Sequence, residues 1–455
     1  MNFSFSTHSI RSHPRRQAIE TILSSALRAV DPHIAVTNAM SLSGDTLYVV
    51  GKALHLNNYR NVHVVAFGKA SLPMAAASAE ILSSHLDSSL AITKDGYAHN
   101  AQFTLPHQFS IVTSAHPVPA DSSISAGRSI LSLLSNAAPN DLIIFLISGG
   151  GSSLVTLPPA GITLADIQQL TRLLLASGAT IDEINILRKH LDVVKGGGLL
   201  KAVGNASTIT LILSDVIGDP VDAIASGPTV PDPSTFADAL GVLVDHKNLA
   251  APPLPILDHL RKGMDRLIPE TLKPDQMDPQ RHPVEIIASN RIALHAARDA
   301  AINQGFSTTI ITERLDGEAS QQGTQLAGIL AKQLQQGTTD LPFCLLAGGE
   351  TTVTIRGNGL GGRNQEMALA GVQSLSGQKD CMMICLATDG NDGPTDAAGA
   401  VVTNTTLHRA KSLGLDPSDF LHNNDSYHFF APLEDLLTTG PTHTNVNDLV
   451  FLFGF

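Results

Sequence analysis

The sequence predicts an α/β protein with two α/β domains and largely parallel sheets. Three observations carry that expectation. Short apolar, β-branched runs recur without polar alternation, as at 62–67, 142–147, 207–213 and 383–387, the pattern of strands covered by helices on both faces. Each run ends in a glycine-rich or polar segment and leads into a stretch of helical length, the order that builds parallel sheets. The length of 455 residues, 43% of them hydrophobic and 15% charged, suits about two to three well-cored domains.

In chain order, residues 15–32 read as a first helix, preceded by a Ser- and Arg-rich tail with no acid before Glu20. The tail is read as a short lead into that helix rather than as a transit peptide. A strand at 62–67 ends in a Gly68-Lys69 turn and a small-residue helix; a strand at 142–147 ends in "SGGGSS". Residues 183–200 read as a helix bearing Arg188, Lys189 and His190, followed by Lys195 and a second triple glycine. The next strand runs into "SDVIGDP". Between about 236 and 283 the strand pattern lapses into Pro and charge. A domain transition is placed there, giving an N-terminal domain of 1–240 and a C-terminal domain of 241–455, with a new strand–helix–strand unit from residue 284. Within the second domain "TTVTIR" reads as a strand, "RNQEMALAGVQSL" as a helix, and 383–387 as a strand ending at Thr388-Asp389.

Composition excludes several classes. A formal charge of -12 argues against a nucleic-acid binder, whose affinity rests on basic patches. Cys344, Cys381 and Cys385 lie in apolar runs without the spacing or histidines of a zinc site, and read as reduced core residues. No apolar run approaches the roughly 18 residues that span a bilayer, and no secretory segment is evident, so the cytoplasm is expected. The residues do not fix the oligomeric state, and a homo-oligomer is compatible with them.

The chemistry gathers in the loops after strands. In open parallel sheets, ligands bind beyond the carboxyl ends of the strands. Ser148, Gly149, Gly150, Gly151 and Ser152 can turn several N–H groups on one anion. Lys69 stands at a strand end without the flanking residues of a P-loop, and can neutralise phosphate as a point charge. Arg188 and Lys195 add cations. Asp215, Asp219, Asp222 and Asp232 crowd a Pro-rich loop; carboxylates there suit Mg²⁺, which takes one or two of them plus phosphate oxygens. "GGETTVTIRGNGLGGRNQE" contains a formal G-x-G-x-x-G at Gly357, Gly359 and Gly362, which reads either as a dinucleotide fingerprint or as a cradle for another phosphate. Arg363, directly after those glycines, favours the second.

The segments "SGGGSSL", "SDVIGDPVDAIASGPTVPDPSTF", "GGETTVTIRGNGLGGRNQE", "ATDGNDGPTDAAGA" and "TGPTHTNVNDL" resemble, in order and over nearly the whole chain, the class II glycerate 2-kinase family. The C-terminal portion of that family, about 340–450 here, is the MOFRL region. The resemblance implies a Rossmann-like first domain, a site in the cleft between domains, and ATP- and Mg²⁺-dependent phosphorylation of D-glycerate to 2-phosphoglycerate. It implies Lys69 and Arg363 as catalytic residues. The loop residues 148–152, Lys195, Gly357, Gly359 and Gly362 are then expected to bind the nucleotide or phosphate, and Arg188, Asp215 and Asn364 the substrate. Asp215, Asp219, Glu350 and Asp389 are the candidate metal ligands. Relatives have also carried the label hydroxypyruvate reductase, a reading that needs NAD(P)H on Gly357–Gly362 and a general acid, for which His116 is the candidate. A non-catalytic nucleotide-binding module is the third reading. The parts that phosphoryl transfer requires, anion cradles, cations and a metal, are the parts this sequence offers.

Overall fold

The computed structural model describes residues 3, 5–97, 103–246, 251–337 and 340–455. Contacts divide the chain into two compact units, one of Pro32–Ile287 and one of Met1–Asp31 with Ala288–Phe455. The expected boundary at 240/241 is therefore displaced, and the N-terminal segment belongs with the C-terminal one. The reason is packing. The helix Arg16–Ala29 buries Ile19, Ile22, Leu23, Ala26 and Leu27 and lies against the helix Asn290–Asn303. Ahead of it, Ser9 bonds through both its N–H and its hydroxyl to the buried Asp435; positions 1, 2 and 4 of the Ser- and Arg-rich tail lie outside the described residues.

After the helix Pro32–Ala39, the continuous unit has a small antiparallel sheet of β1 (Met40–Ser43), β2 (Thr46–Val49) and β3 (Lys52–His55), which the sequence pattern does not announce. Its main sheet comprises β4 (Val62–Phe67), β5 (Ser89–Lys94), β6 (Phe109–Ser114), β7 (Leu142–Ser148), β8 (Ser207–Leu213) and β9 (Val284–Ala288), in the order β6-β5-β4-β7-β8-β9. The strands β6, β5, β4, β7 and β8 pair in parallel. Val65, Phe67, Ile143, Phe145 and Ile147 fill the core on one face. Strand order runs outward from β4 through β5 to β6, then turns to the other side at β7. The switch point thus lies between the ends of β4 and β7, which carry Lys69 and the triple glycine.

The stretch expected to be a domain transition instead folds into this unit, its positions 247–250 lying outside the described residues. The helices Phe236–Asp245 and Leu254–Met264 pack with Ile181–His190 around Phe236, Ile256, Leu260 and Leu187. Pro255 falls in the first turn of its helix, where no N–H is needed. The strand expected to open the second domain at 284 is β9, an edge of the first sheet.

The second unit holds β10 (Ser307–Leu315), β11 (Phe343–Gly349), β12 (Cys381–Ala387), β13 (Gly399–Thr403), β14 (Leu436–Leu437) and β15 (Asp448–Gly454), ordered β10-β11-β15-β12-β13-β14. Only β10 and β11 pair in parallel; β15 runs against both β11 and β12, and β13 and β14 are also antiparallel to their neighbours. The expectation of largely parallel sheets holds for the first sheet and fails for this one, because β15 returns between two strands that point the other way. "TTVTIR" is not a strand. Thr352 makes a single bridge to Glu318, and Ile355 is 80% exposed. The three cysteines are free and buried, and burial pushes the Cys381 thiol up to about 12.

Phe451, fully buried in β15 and stacked on Phe453, pairs with Leu346 on one side and Ile384 on the other. Phe451→Ala is expected to destabilise this unit by about 3–5 kcal/mol, read as a lower urea midpoint in its unfolding transition.

Candidate active site

At the switch point, Gly68 has φ +125, and a Cβ there would lie 2.2 Å from the Ser148 Oγ. Only glycine lets the two loops meet this closely. The Lys69 N–H donates to the Gly149 carbonyl at 2.9 Å, and the Ala70 N–H donates to the Ser148 Oγ at 3.0 Å. Ser148 therefore ties the two loops together. Gly150, at φ +80, has the His116 ring 3.1 Å and Lys69 Cγ 3.2 Å from where its Cβ would stand. A Cβ on Gly149 would collide with the Asp215 carboxylate. So Lys69, His116 and Asp215 surround the glycine loop. Among the described residues, the N–H groups of Gly149, Gly150, Gly151 and Ser152 donate to no protein acceptor, and the Lys69 ammonium enters no ion pair or hydrogen bond.

His116, Gly150, Ser152 and Asp215 open onto a cavity of about 610 Å³ that Asn185, Arg188 and Ser226 also line, with Ile167, Leu170, Leu174 and Leu187 as apolar wall. Size and mixed lining suit a small-molecule ligand. A polar chain crosses it: Ser152 Oγ to Ser226 Oγ at 2.9 Å and Ser226 Oγ to Asn185 Oδ1 at 3.2 Å, with Arg188 Nη1 3.4 Å from the same amide oxygen. Arg188 has no carboxylate partner among the described residues, and burial lowers its pKa. Ala225, Ser226 and Gly227 take φ of 51°, 61° and 61° in succession, an arrangement costly for the two non-glycine residues. Asn185 and Ser226 were not singled out from the sequence; the "ASGP" turn after the Asp-rich loop was the available sign.

The neighbouring cations are otherwise engaged. Lys195, expected to meet phosphate, is buried, and its three protons go to the Val155 carbonyl at 2.9 Å, Thr156 Oγ1 at 3.2 Å and the Asp192 carboxylate. Burial pushes its pKa down while Asp192 opposes the shift. Lys189 is likewise held between Asp222 and Asp232, each at 3.0 Å. His116 has the opposite character. Burial first, then Lys69 and Lys94, lowers its pKa to about 4, so the imidazole is neutral near pH 7.

In the second unit the glycine-rich stretch meets the protein's own backbone. The N–H groups of Gly357, Asn358, Gly359 and Leu360 all donate to Asn423, Asn424 or Asp425. A Cβ on Gly357 or Gly359 would strike the same turn, and one on Gly362 would strike Asp392. At the N-terminus of the helix Arg363–Leu375, Asp392 accepts the N–H groups of Asn364 at 3.1 Å and Gln365 at 2.8 Å. The anion that this helix end attracts is the protein's own carboxylate. The N–H groups of Gly357 and Gly359 thus do not form the expected phosphate cradle. Asn364, expected to touch substrate, is fully buried and bridges Asp392 and Asp448.

Arg363 remains partly exposed. Its Nε and Nη2 grip Asp448 at 2.5 and 3.2 Å, and Nη1 reaches Glu350 at 2.8 Å. Burial alone would lower its pKa, but Asp448 and Glu350 hold it above the ordinary value. Burial lifts the Asp448 carboxyl to about 7 while Arg363 and Asn364 pull against it. Two guanidinium protons are left over for a ligand.

No three His, Cys, Asp or Glu side chains are grouped to hold a metal ion among the described residues. Of the four carboxylates considered, Glu350 is paired with Arg363, Asp389 accepts the Asn391 N–H, and Asp219 sits at a left-handed φ of 56°. Asp215 alone of the four lines the cavity. That fits a Mg²⁺ carried in by phosphate oxygens and held by one protein carboxylate, and does not fit an all-protein metal cage.

A parallel sheet with a glycine loop, a lysine and a cavity at its switch point defines an α/β protein with a small-molecule site of the open-sheet kind. Comparison with known proteins narrows that class. Residues 18–261 match a family model described as a domain of unknown function, DUF4147, and residues 343–448 match the MOFRL family. The glycerate 2-kinase of Pyrococcus horikoshii is 41% identical over 431 residues, covering 94% of this chain and 95% of that protein. The D-glycerate 2-kinase of Thermotoga maritima is 40% identical, covering 86% and 90%. A crystal structure of glycerate kinase from Thermotoga maritima superposes with a TM-score of 0.85 at 37% identity, over 96% of this chain and 99% of that one. The chain belongs to the glycerate kinase family composed of DUF4147 and MOFRL domains.

The two buried or half-buried lysines should respond differently to removal. Lys195→Ala leaves Asp192 buried and unpaired, and is expected to cost about 3–5 kcal/mol of stability. Lys69→Ala is expected to stay within about 0.5 kcal/mol of the wild type; chemical denaturation of both variants checks the contrast.

Proposed function

We propose that this chain transfers the γ-phosphoryl group of ATP to the 2-hydroxyl of D-glycerate, giving 2-phosphoglycerate and ADP. The observation that carries the reading is the pairing of four unclaimed N–H groups, Gly149 to Ser152, with an unpaired Lys69 ammonium at the switch point. Family membership supplies the reaction; the loop supplies the chemistry. Backbone donors and a point cation stabilise the equatorial oxygens of a transferring phosphoryl group without reorganisation.

Arg188 suits the glycerate carboxylate, because its fork matches a carboxylate in two bonds and, among the described residues, no protein acid competes for it. Asn185 and Ser226, linked to Ser152, steady that side of the cavity. Arg363, which the family resemblance implies as catalytic, keeps two N–H groups for a ligand, with Asp448 and Glu350 fixing its plane. Bound Mg²⁺, with Asp215 as its protein ligand, would neutralise phosphate charge. D-glycerate and ATP are thus the small-molecule partners. The three unpaired cysteines support a reducing compartment, in keeping with the cytoplasm, and among the described residues no helix is long and apolar enough to cross a membrane.

A direct assay with Mg-ATP and D-glycerate is expected to show ADP release that requires both glycerate and Mg²⁺, with phosphate on the 2-oxygen by NMR. Release of 3-phosphoglycerate, or steady NADH oxidation with hydroxypyruvate in place of kinase turnover, would sink the reading. Lys69→Ala and Arg363→Lys are each expected to lower kcat by on the order of 10³, since a lysine cannot reproduce the planar fork that Asp448 and Glu350 hold.

A further inference from the structure

We propose that His116 is the proton acceptor for the attacking hydroxyl, a catalytic role that rests on the kinase reading above. The geometry points to it. The Cδ2–Nε2 edge of the ring stands 3.1 Å from the position of a Gly150 Cβ, beside Lys69 Cγ at 3.2 Å, and the residue lines the cavity. Among the described residues neither ring nitrogen has a hydrogen-bond or ion-pair partner. A half-buried imidazole with no protein partner, set against the loop that offers anion donors, faces whatever the loop binds.

The division of labour follows from charge. Lys69, from the loop after β4, and Lys94, from the end of β5, both face the ring and disfavour its cationic form; burial acts in the same direction and is the larger cause. The charged residues that line the cavity are Arg172, Asp182, Arg188, Asp192, Lys195 and Asp215. Near pH 7 the ring is therefore an uncharged acceptor beside a permanent cation. The cation serves the phosphoryl oxygens and the ring serves the hydroxyl. In the step itself, the 2-oxygen of glycerate bonds to the γ-phosphorus as the bond from that phosphorus to the β,γ-bridging oxygen breaks, and ADP leaves with that electron pair. The hydroxyl proton passes to Nε2 of His116, which releases it to solvent before the next turnover. In a loose transition state the hydroxyl proton moves late, as the new P–O bond forms.

The test uses the full chain. Glycerate-dependent ADP release by the wild type is measured first; its absence overturns the kinase reading and the proposal with it. With an active wild type, His116→Ala and His116→Asn are expected to lose about 10²–10⁴ in kcat, with KM for both substrates within about 3-fold. Added imidazole should restore part of the His116→Ala activity in proportion to its free-base fraction, a response that a purely structural residue would not give. Wild-type kcat in both variants, or a loss confined to KM with no rescue, would overturn the role of His116 alone and leave the kinase reading standing. If either variant misfolds by circular dichroism, ¹⁵N-histidine NMR of the wild type decides: D-glycerate is expected to shift the His116 Nε2 resonance in the presence of Mg-ADP, and an unmoved resonance at saturation would refute the proposal.

Discussion

Two buried carboxylates, Asp392 and Asp448, organise the unit that carries Arg363. Asp448 is the first residue of β15, the strand between β11 and β12, and its oxygens hold Arg363 and Asn364, the first two residues of the helix that follows the glycines. Asp392 caps the same helix from the loop after β12. One helix start is thereby tied to two strand ends. Burial raises both carboxyls, a cost offset by the guanidinium and the amide bonds. This unit consequently presents an oriented cation beside a turn whose N–H groups at 357–360 are taken internally.

The two glycine-rich loops of the chain show how one composition serves opposite ends. Glycine is required wherever something must come close to the backbone, whether a ligand or another segment of the same protein. At 149–152 the N–H groups have no protein acceptor, whereas at 357–360 every one is taken by the Asn423–Asp425 turn. Hydrogen-bond accounting separates them, and sequence alone does not contain it.

Much of the first sheet was legible. The strand at 62–67 and the helix from Arg363 to Leu375 fall where the apolar periodicity places them, and Lys69 beside the triple glycine follows from strand-end chemistry. Strand direction was not legible, since a fully buried run such as "DLVFLFG" reads the same in a parallel or an antiparallel ladder. Lys195 looked like a phosphate ligand because its charge is visible in the sequence and its partner Asp192, three residues earlier, is not marked as one. The unit boundary was hidden for a related reason. An amphipathic helix announces that it has an apolar face, and says nothing of which distant helix will cover it.

The nesting of one unit within the other has a consequence during synthesis. Residues 32–287 form a continuous body, so all of its strands have been made before most of the enclosing unit exists. The first 31 residues, by contrast, belong with a body translated after residue 287, and β15, which separates β11 from β12, closes that body only when residues 448–454 leave the ribosome. Domains fold as units in the order in which they are completed. The loop that bears Lys69 is therefore assembled before Arg363 acquires its carboxylate clamp, which waits for Asp448.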